Sequence, residues 1–460
     1  VDTGSDNANC GGCGHACPSG QGCVTGGCVP AIHVGPAPAK CAGGGPPINI
    51  PIGTSSTSCA GNLAQVTFTW GLCSCTNISA SDSFLVDAYD STKGPYPPTP
   101  PILGGSVGLD GTFSSSSSAT IGGSLWASAS SGLSSDSVTV KEELHVGGPA
   151  SGQAFSVGLD AFVNGNVNGL TIGGNLTVPN GVTASGATVH GMINHVTPPV
   201  SVPPPCDCSP SAIIPIASIV AAKATSNDNA AIGLSSTALA GPGGSTRLDL
   251  PCGEYYLTSI STSNAMTVVA HGRTALYVGG SITPSGPLTI TLDPTAQLDL
   301  FVAGTINSSD TLTIGNINYP ALSRTYVGGS TALSFSSGAT LGSNLYAPNA
   351  TVDWSAGTDI YGSVFCHDFN GSSRVAIHYD EGVLSQGATC PPPGGSSSSS
   401  SSSGSGSTSG SSSGGTPGCG SCKDCGNQAC INGACGSCTS SAQCCAPLLC
   451  AAGTCVPAPP

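Results

Sequence analysis

Between residues 275 and 377 the chain repeats one kind of phrase: ALYVGGSI, LDLFVAGTI, RTYVGGST, ATLGSNLYAPNATV and TDIYGSVF. Each is a short β-branched or aromatic run broken by one or two glycines, which suits brief strands that turn sharply. A looser version occupies residues 101–200 as ATIGGSL, AFVNGNV, LTIGGNLTV and ATVHGMI, with template glycines at Gly122, Gly165, Gly173 and Gly191. The spacing is too irregular for a strict short-period solenoid, but parallel coils with loops of different length accommodate it. The pattern predicts a mainly β fold: an irregular, right-handed parallel β-helix-like core with a short helical insert, flanked by small disulfide-rich modules. Residues 101–200 read as the first half of one repeated architecture and residues 275–377 as the second.

The segments around these runs set the boundaries. Residues 1–30 form a small cysteine-rich module, and residues 31–100 a β-rich lead-in. The lead-in carries two strand-like runs, LAQVTFTWGLC (with Val66, Phe68 and Trp70 alternating) and DSFLVDAYD, then the proline-rich turn KGPYPPTPP. Residues 101–390 are the core. Its insert, near 206–252, holds the best helix candidate, Ser211 to Lys223, although Pro210 and Pro215 disturb its start. Residues 391–418 are a Ser/Gly linker with almost nothing to build a core from. Residues 419–460 form a second cysteine-rich module.

All 24 cysteines are disulfide candidates, because so many thiols do not suit a reducing cytosol. The first module has five: Cys10, Cys13, Cys17, Cys23 and Cys28. The region 41–390 has nine: Cys41, Cys59, Cys73, Cys75, Cys206, Cys208, Cys252, Cys366 and Cys390. The last module has ten, an even number able to pair internally: Cys419, Cys422, Cys425, Cys430, Cys435, Cys438, Cys444, Cys445, Cys450 and Cys455. The odd count in the first module implies either a bridge to the core or a partner upstream of Val1. A zinc knuckle at Cys10 and Cys13, with His15 as a further ligand, is the rival reading.

Composition narrows the function by exclusion. Only 7% of residues are charged and the net charge is −14, with nine scattered Lys and Arg. No basic patch is available for nucleic acid or anionic lipid. No uninterrupted apolar run is long enough for a transmembrane helix. Beginning at Val1 without an apolar leader, the chain reads as a mature or trimmed secreted product. The acids and histidines that could do chemistry are Asp228, His367 with Asp368, and His378 with Asp380 and Glu381; AHGR at Ala270–Arg273 is a loose fourth. Nothing in their spacing demands a carboxylate pair, a zinc-binding histidine pair or a serine nucleophile. No catalytic, cofactor-binding or metal-ligating residue is therefore assigned. Single Asp or Asn residues in turns leave calcium as the one ion to consider. Sequons at Asn77, Asn175, Asn307, Asn349 and Asn370 are what a Ser/Thr/Asn-rich chain produces by chance.

The span DNANCGGCGHACPSGQGCVTGGCV resembles the cysteine-rich repeats of myxobacterial secreted proteins. The spans VDAYDSTKGPY, LPCGEYYLTSI, ALYVGGSI with LDLFVAGTI, and VAIHYDEGVL resemble a domain of unknown function of bacterial surface and pilus-associated proteins, over about residues 80–390. That resemblance implies a β-helix-like, export-associated domain and passes on no catalytic residue. The expectation is a non-enzymatic structural or adhesive protein, extracellular or at the cell surface, whose β-helical face contacts glycans or other surface proteins. The alternative is a carbohydrate-active β-helix enzyme of polysaccharide lyase or hydrolase type. A protease-inhibitor-like role for residues 419–460 is a third reading.

Overall fold

The short apolar runs pair in parallel, one coil above the next. In the computed structural model Thr120 lies beside Thr139, Thr139 beside Ser156, Ser156 beside Thr171 and Thr171 beside Thr188, steps of 19, 17, 15 and 17 residues. The next residue of each strand faces the opposite way. Ile121, Val140, Val157 and Ile172 thus form a column inside the coils, each at most 3% exposed. The template glycines mark corners where successive backbones touch. A Cβ on Gly173 would stand 2.3 Å from the Gly158 carbonyl oxygen, and one on Gly191 2.6 Å from that of Gly174. Stacking at these corners therefore excludes any larger residue.

The structure describes residues 4, 6–41, 64, 67–98, 100–336 and 338–386, together with the backbone of six short strands within 49–59 and 429–457. Residues 1–391 form one compact unit and residues 392–460 a second. The Ser/Gly linker at 391–418, the side chains of Cys59 and Cys390, and those of all ten C-terminal cysteines lie outside the described residues.

The coils do not stack in chain order. The stack starts with Thr246–Leu257, continues through Met266–Val278 and Gln297–Val302, and reaches Val364–Gly371 and Val375–Asp380. The next coil along is formed by Leu72–Ser74, Ile78–Ala80 and Phe84–Tyr89, with Val364 beside Leu72, Phe369 beside Ile78 and Val375 beside Phe84. From there the stack runs on to Ile193–Val196. The expected order, with 101–200 as the first half, is thus inverted in space. Residues 72–89, read as part of a lead-in, instead form the coil at the seam between the halves. Among the described residues of LAQVTFTWGLC only Leu72 and Cys73 lie in a strand, Leu72–Ser74, and Phe68 is buried from outside any strand.

This order obliges the chain to return from Val196 at one end to Thr246 at the other, and the return segment is the helical insert. It runs as a strap over one outer face. The face carries a single register column: Tyr256, Tyr277, Phe301, Tyr326, Tyr346, Phe365, Cys73, Gly108, Trp126, His145 and Phe162. Neighbouring rings stack, with centroids 4.9 Å apart for Tyr277 and Phe301 and 3.9 Å for Trp126 and His145. The strap covers them in turn. Trp126 Nε1 donates to the Pro203 carbonyl at 3.0 Å, and the Ile214 N–H donates to Tyr346 Oη at 3.3 Å. The helix Ile216–Lys223 buries Ile216, Ile219 and Val220 against the column. It starts later than expected because Pro215 occupies its N-cap rather than its interior. At Gly108 a Cβ would meet Pro205 at 2.9 Å, so the strap fills the gap that the column leaves there.

Among the described residues five disulfides bind these parts. Cys10–Cys23 and Cys17–Cys28 hold the first module, whose hairpin (Gln21–Val24 with Gly27–Ile32) sets Ile32 beside Leu248 on the first coil. Cys41–Cys252 ties the following segment to that coil, while Cys73–Cys206 and Cys75–Cys208 tie the strap to the seam. Among the described residues two candidates carry free thiols instead of bridges: Cys13, exposed in the first module, and Cys366. Cys366 points into the core, fully buried, with Ala347 and Ser74 as its register partners and no second cysteine in its column. Burial pushes its thiol pKa well up, so it behaves as a small apolar side chain.

Candidate functional site

Where an outward column leaves the strap's cover, its polar groups meet across coils. His378, only 2% exposed, is the register partner of Asp87 and lies between two carboxylates. Its Nδ1 is 2.7 Å from Asp87 Oδ1 and its Nε2 3.3 Å from Asp359 Oδ2. Tyr96, from the proline-rich turn, stacks on the imidazole at 3.8 Å and donates its hydroxyl to Asp87 Oδ2 at 2.8 Å. Burial first, then that hydrogen bond, raises the tyrosine pKa well above its ordinary value. Arg374 donates to Asp359. Every polar atom of the histidine is engaged, so the cluster fastens the two halves together at the seam.

A second cluster stands at the first coils. His271 bridges Asp249 and Asp293, with Nε2 2.7 Å from Asp249 Oδ1 and Nδ1 2.6 Å from Asp293 Oδ2. Arg247 holds Asp249 through Nε and Nη2 at 3.0 and 2.8 Å and donates Nη1 to the Cys23 carbonyl of the hairpin. These three coils share a cleft of about 470 Å³ lined by Asp6, Arg247, His271 and Asp293. The Asp249 hydrogen bond raises the His271 pKa despite burial. Burial works to raise that of Asp249, but hydrogen bonds from His271 and Arg247 outweigh it and the pKa is lowered.

These shifts define a pH dependence. A raised histidine pKa gives stability that is complete below about 6.5 and is lost as pH rises through the folded-state value. A lowered aspartate pKa gives stability that is complete above about 3.9 and is lost as pH falls through the folded-state value. The difference in thermal midpoint between the native chain and His271→Gln should therefore be greatest between about pH 4 and 6.5 and shrink on either side. A difference that stays constant from pH 4 to 9 would show that the bridge is not ionic.

The other sequence candidates have structural duties. Asp228 accepts the Glu254 N–H at 2.8 Å and pairs with Lys40 at 2.8 Å. Asp368 accepts from His367, Thr76 and the Asn77 N–H across the seam. Asp380, fully buried, accepts from the Ser91, Ala321 and Gly382 N–H groups. Burial raises the pKa of both Asp380 and Glu381. The structure therefore separates His378 from Asp380 and Glu381, its sequence neighbours, and joins it to Asp87 and Asp359. Sequence reasoning missed Asp87, Asp249, Asp293 and Asp359 because each reaches its histidine from another coil. Only the coil register could have revealed them.

The remaining outer faces are hydroxyl and amide ladders. One column runs Asn307, Ser334, Asp353, Asn370, Ser79 and Ser114. On the later coils Ser134, Ser151, Asn168 and Ser185 form a further run. Rungs bond to one another, as Ser151 Oγ to Ser134 Oγ at 3.1 Å and Asn370 Nδ2 to Asp353 at 3.1 Å. A polar cleft of about 480 Å³ opens along it, lined by Ser114, Ser116, Ser118, Ser134, Asp136 and Ser137.

Parallel coils, an outer strap and two polar ladders define a parallel β-solenoid-like protein. A family model described as a domain of unknown function (DUF7305) matches residues 207–385, which cover most of the strap and the coils up to the seam. It spans less than half of the chain and only the later part of the resemblance placed at about 80–390. No curated protein and no solved structure matches the chain. Among the described residues no helix is long and apolar enough to cross a membrane.

Proposed function

We propose that this is a non-enzymatic contact protein, extracellular or at a cell surface, whose exposed Ser/Asn ladder binds glycan chains. The ladder itself is the observation that carries the reading. Hydroxyl and amide groups recur once per coil, roughly every 4.8 Å, along a weakly charged face that the strap leaves uncovered. Such a row offers donors and acceptors to a polysaccharide without a deep pocket. The five disulfides among the described residues favour an oxidising compartment, and surface attachment and pilus association belong to the same proposal. Co-sedimentation of the full chain with insoluble polysaccharides should show binding that Ser114→Arg and Asn168→Arg weaken, with no new reducing or unsaturated ends. Appearance of such ends would sink the non-enzymatic reading.

A second reading, a carbohydrate-active enzyme of lyase or hydrolase type, rests on the His271 cleft, where carboxylates, an imidazole and a guanidinium line one opening. New ends that disappear with His271→Ala would select it.

A further inference from the structure

One end of the stack is closed by the chain itself. There Ile32 of the hairpin extends the inward column of Leu248, and Ile232 and Leu239 are buried beside it. At the other end the last coil, formed by Ala184–Ser185, Thr188–Val189 and Ile193–Val196, has no strand beyond it among the described residues. Its inward positions continue the core: Val189 follows Ile172, and Ile193 follows Leu176. Leu176 is fully buried, yet Ile193 is 46% exposed and Met192 beside it 68%. Open strand edges are normally guarded by charged side chains or bulges. Here no Asp, Glu, Lys or Arg occurs between Asp160 and Asp207.

We infer that this end coil is a homotypic interface at which two copies of the chain meet coil to coil. Two observations select a second copy as the occupant. The chain carries a net charge of −14, so like chains repel, and least so where a surface bears no charge. The hairpin already fills the opposite end, so a head-to-tail filament cannot form. Two identical free ends can meet only about a two-fold axis, which closes at a dimer. Strand addition is also how the chain covers its own first coil, which makes it a fitting way to cover the last.

Sedimentation equilibrium of the full chain tests this. The expected mass is twice that of the chain. Met192→Lys and, separately, Ile193→Asp place like charges face to face across the axis, and each should weaken the dimer at least about tenfold. Leu103→Lys, at a 63% exposed position elsewhere, and Cys13→Ser, which removes the exposed free thiol, should leave it unchanged. Circular dichroism confirms that each variant is folded, and Met192 is exposed enough to accept lysine without strain. Three results would overturn the inference: a monomer up to about 100 μM, where even a weak interface is populated; a dimer indifferent to both charges; or a dimer lost with Cys13→Ser.

Discussion

Replacing Cys73 and Cys206 by alanine should lower stability by about 2 kcal/mol, whereas replacing Cys75 and Cys208 as well should lower it by about 7. The disparity follows from topology. Both bridges span 133 residues, and both close the same loop. Closing a loop of that length once is worth about 5 kcal/mol of unfolded-state entropy. With one bridge in place, the second closes only a ring of a few residues, worth about 2. Each pair alone is therefore nearly redundant, and the two together hold the strap to the seam. Loss of both should also free the strap from the aromatic column and change the fluorescence of Trp126, whose indole N–H bonds the strap at Pro203. Urea midpoints of the two double variants and the quadruple variant measure the effect. Two equal and additive losses of about 5 kcal/mol would mean that the bridges constrain separate loops.

Local patterning was legible in the sequence because it depends on neighbours along the chain. Glycine-broken β-branched runs became strands, and Gly122, Gly165, Gly173 and Gly191 became the corners where backbones touch. The Pro-rich turn after Tyr89 remained a turn, although its purpose, to lay Tyr96 on His378, was not foreseeable. The stacking order was hidden because every coil presents similar edges. Parallel pairing of Val364 with Leu72 uses the same kinds of residue as pairing between consecutive coils. The site residues were hidden for the same reason. Asp87 and His378 are adjacent only through that register, and Asp249 and Asp293 face one imidazole from the coils on either side of it. Cysteine parity likewise implied a bridge from the first module to the core or a partner upstream of Val1, whereas Cys13 is a free exposed thiol and Cys366 serves as a small apolar filler of an inward column.

The same permuted order limits what the matched segment 207–385 can do alone. Its final coil would expose the inward residues Val364, Phe369 and Ile377, which the chain covers with residues 72–89. Removing the earlier coils leaves an apolar end without its cover, the kind of surface that drives association of edge strands.

The direct stacking of residues 364–380 on residues 72–89 is testable by one cross-link. Ser79 and Asn370 are register partners on the outer face, and both are exposed. Neighbouring parallel strands lie roughly 4.8 Å apart, which falls within the Cα separation that a disulfide spans. The variant Ser79→Cys/Asn370→Cys should form a new bridge under mild oxidation, found by non-reducing peptide mapping. By loop entropy that bridge should raise stability by about 5 kcal/mol. If the coils followed chain order, with the halves joined through the insert, these positions would lie at distant levels of the stack. Two thiols that remain free in a folded protein, or that link only between molecules, would contradict the permuted stack.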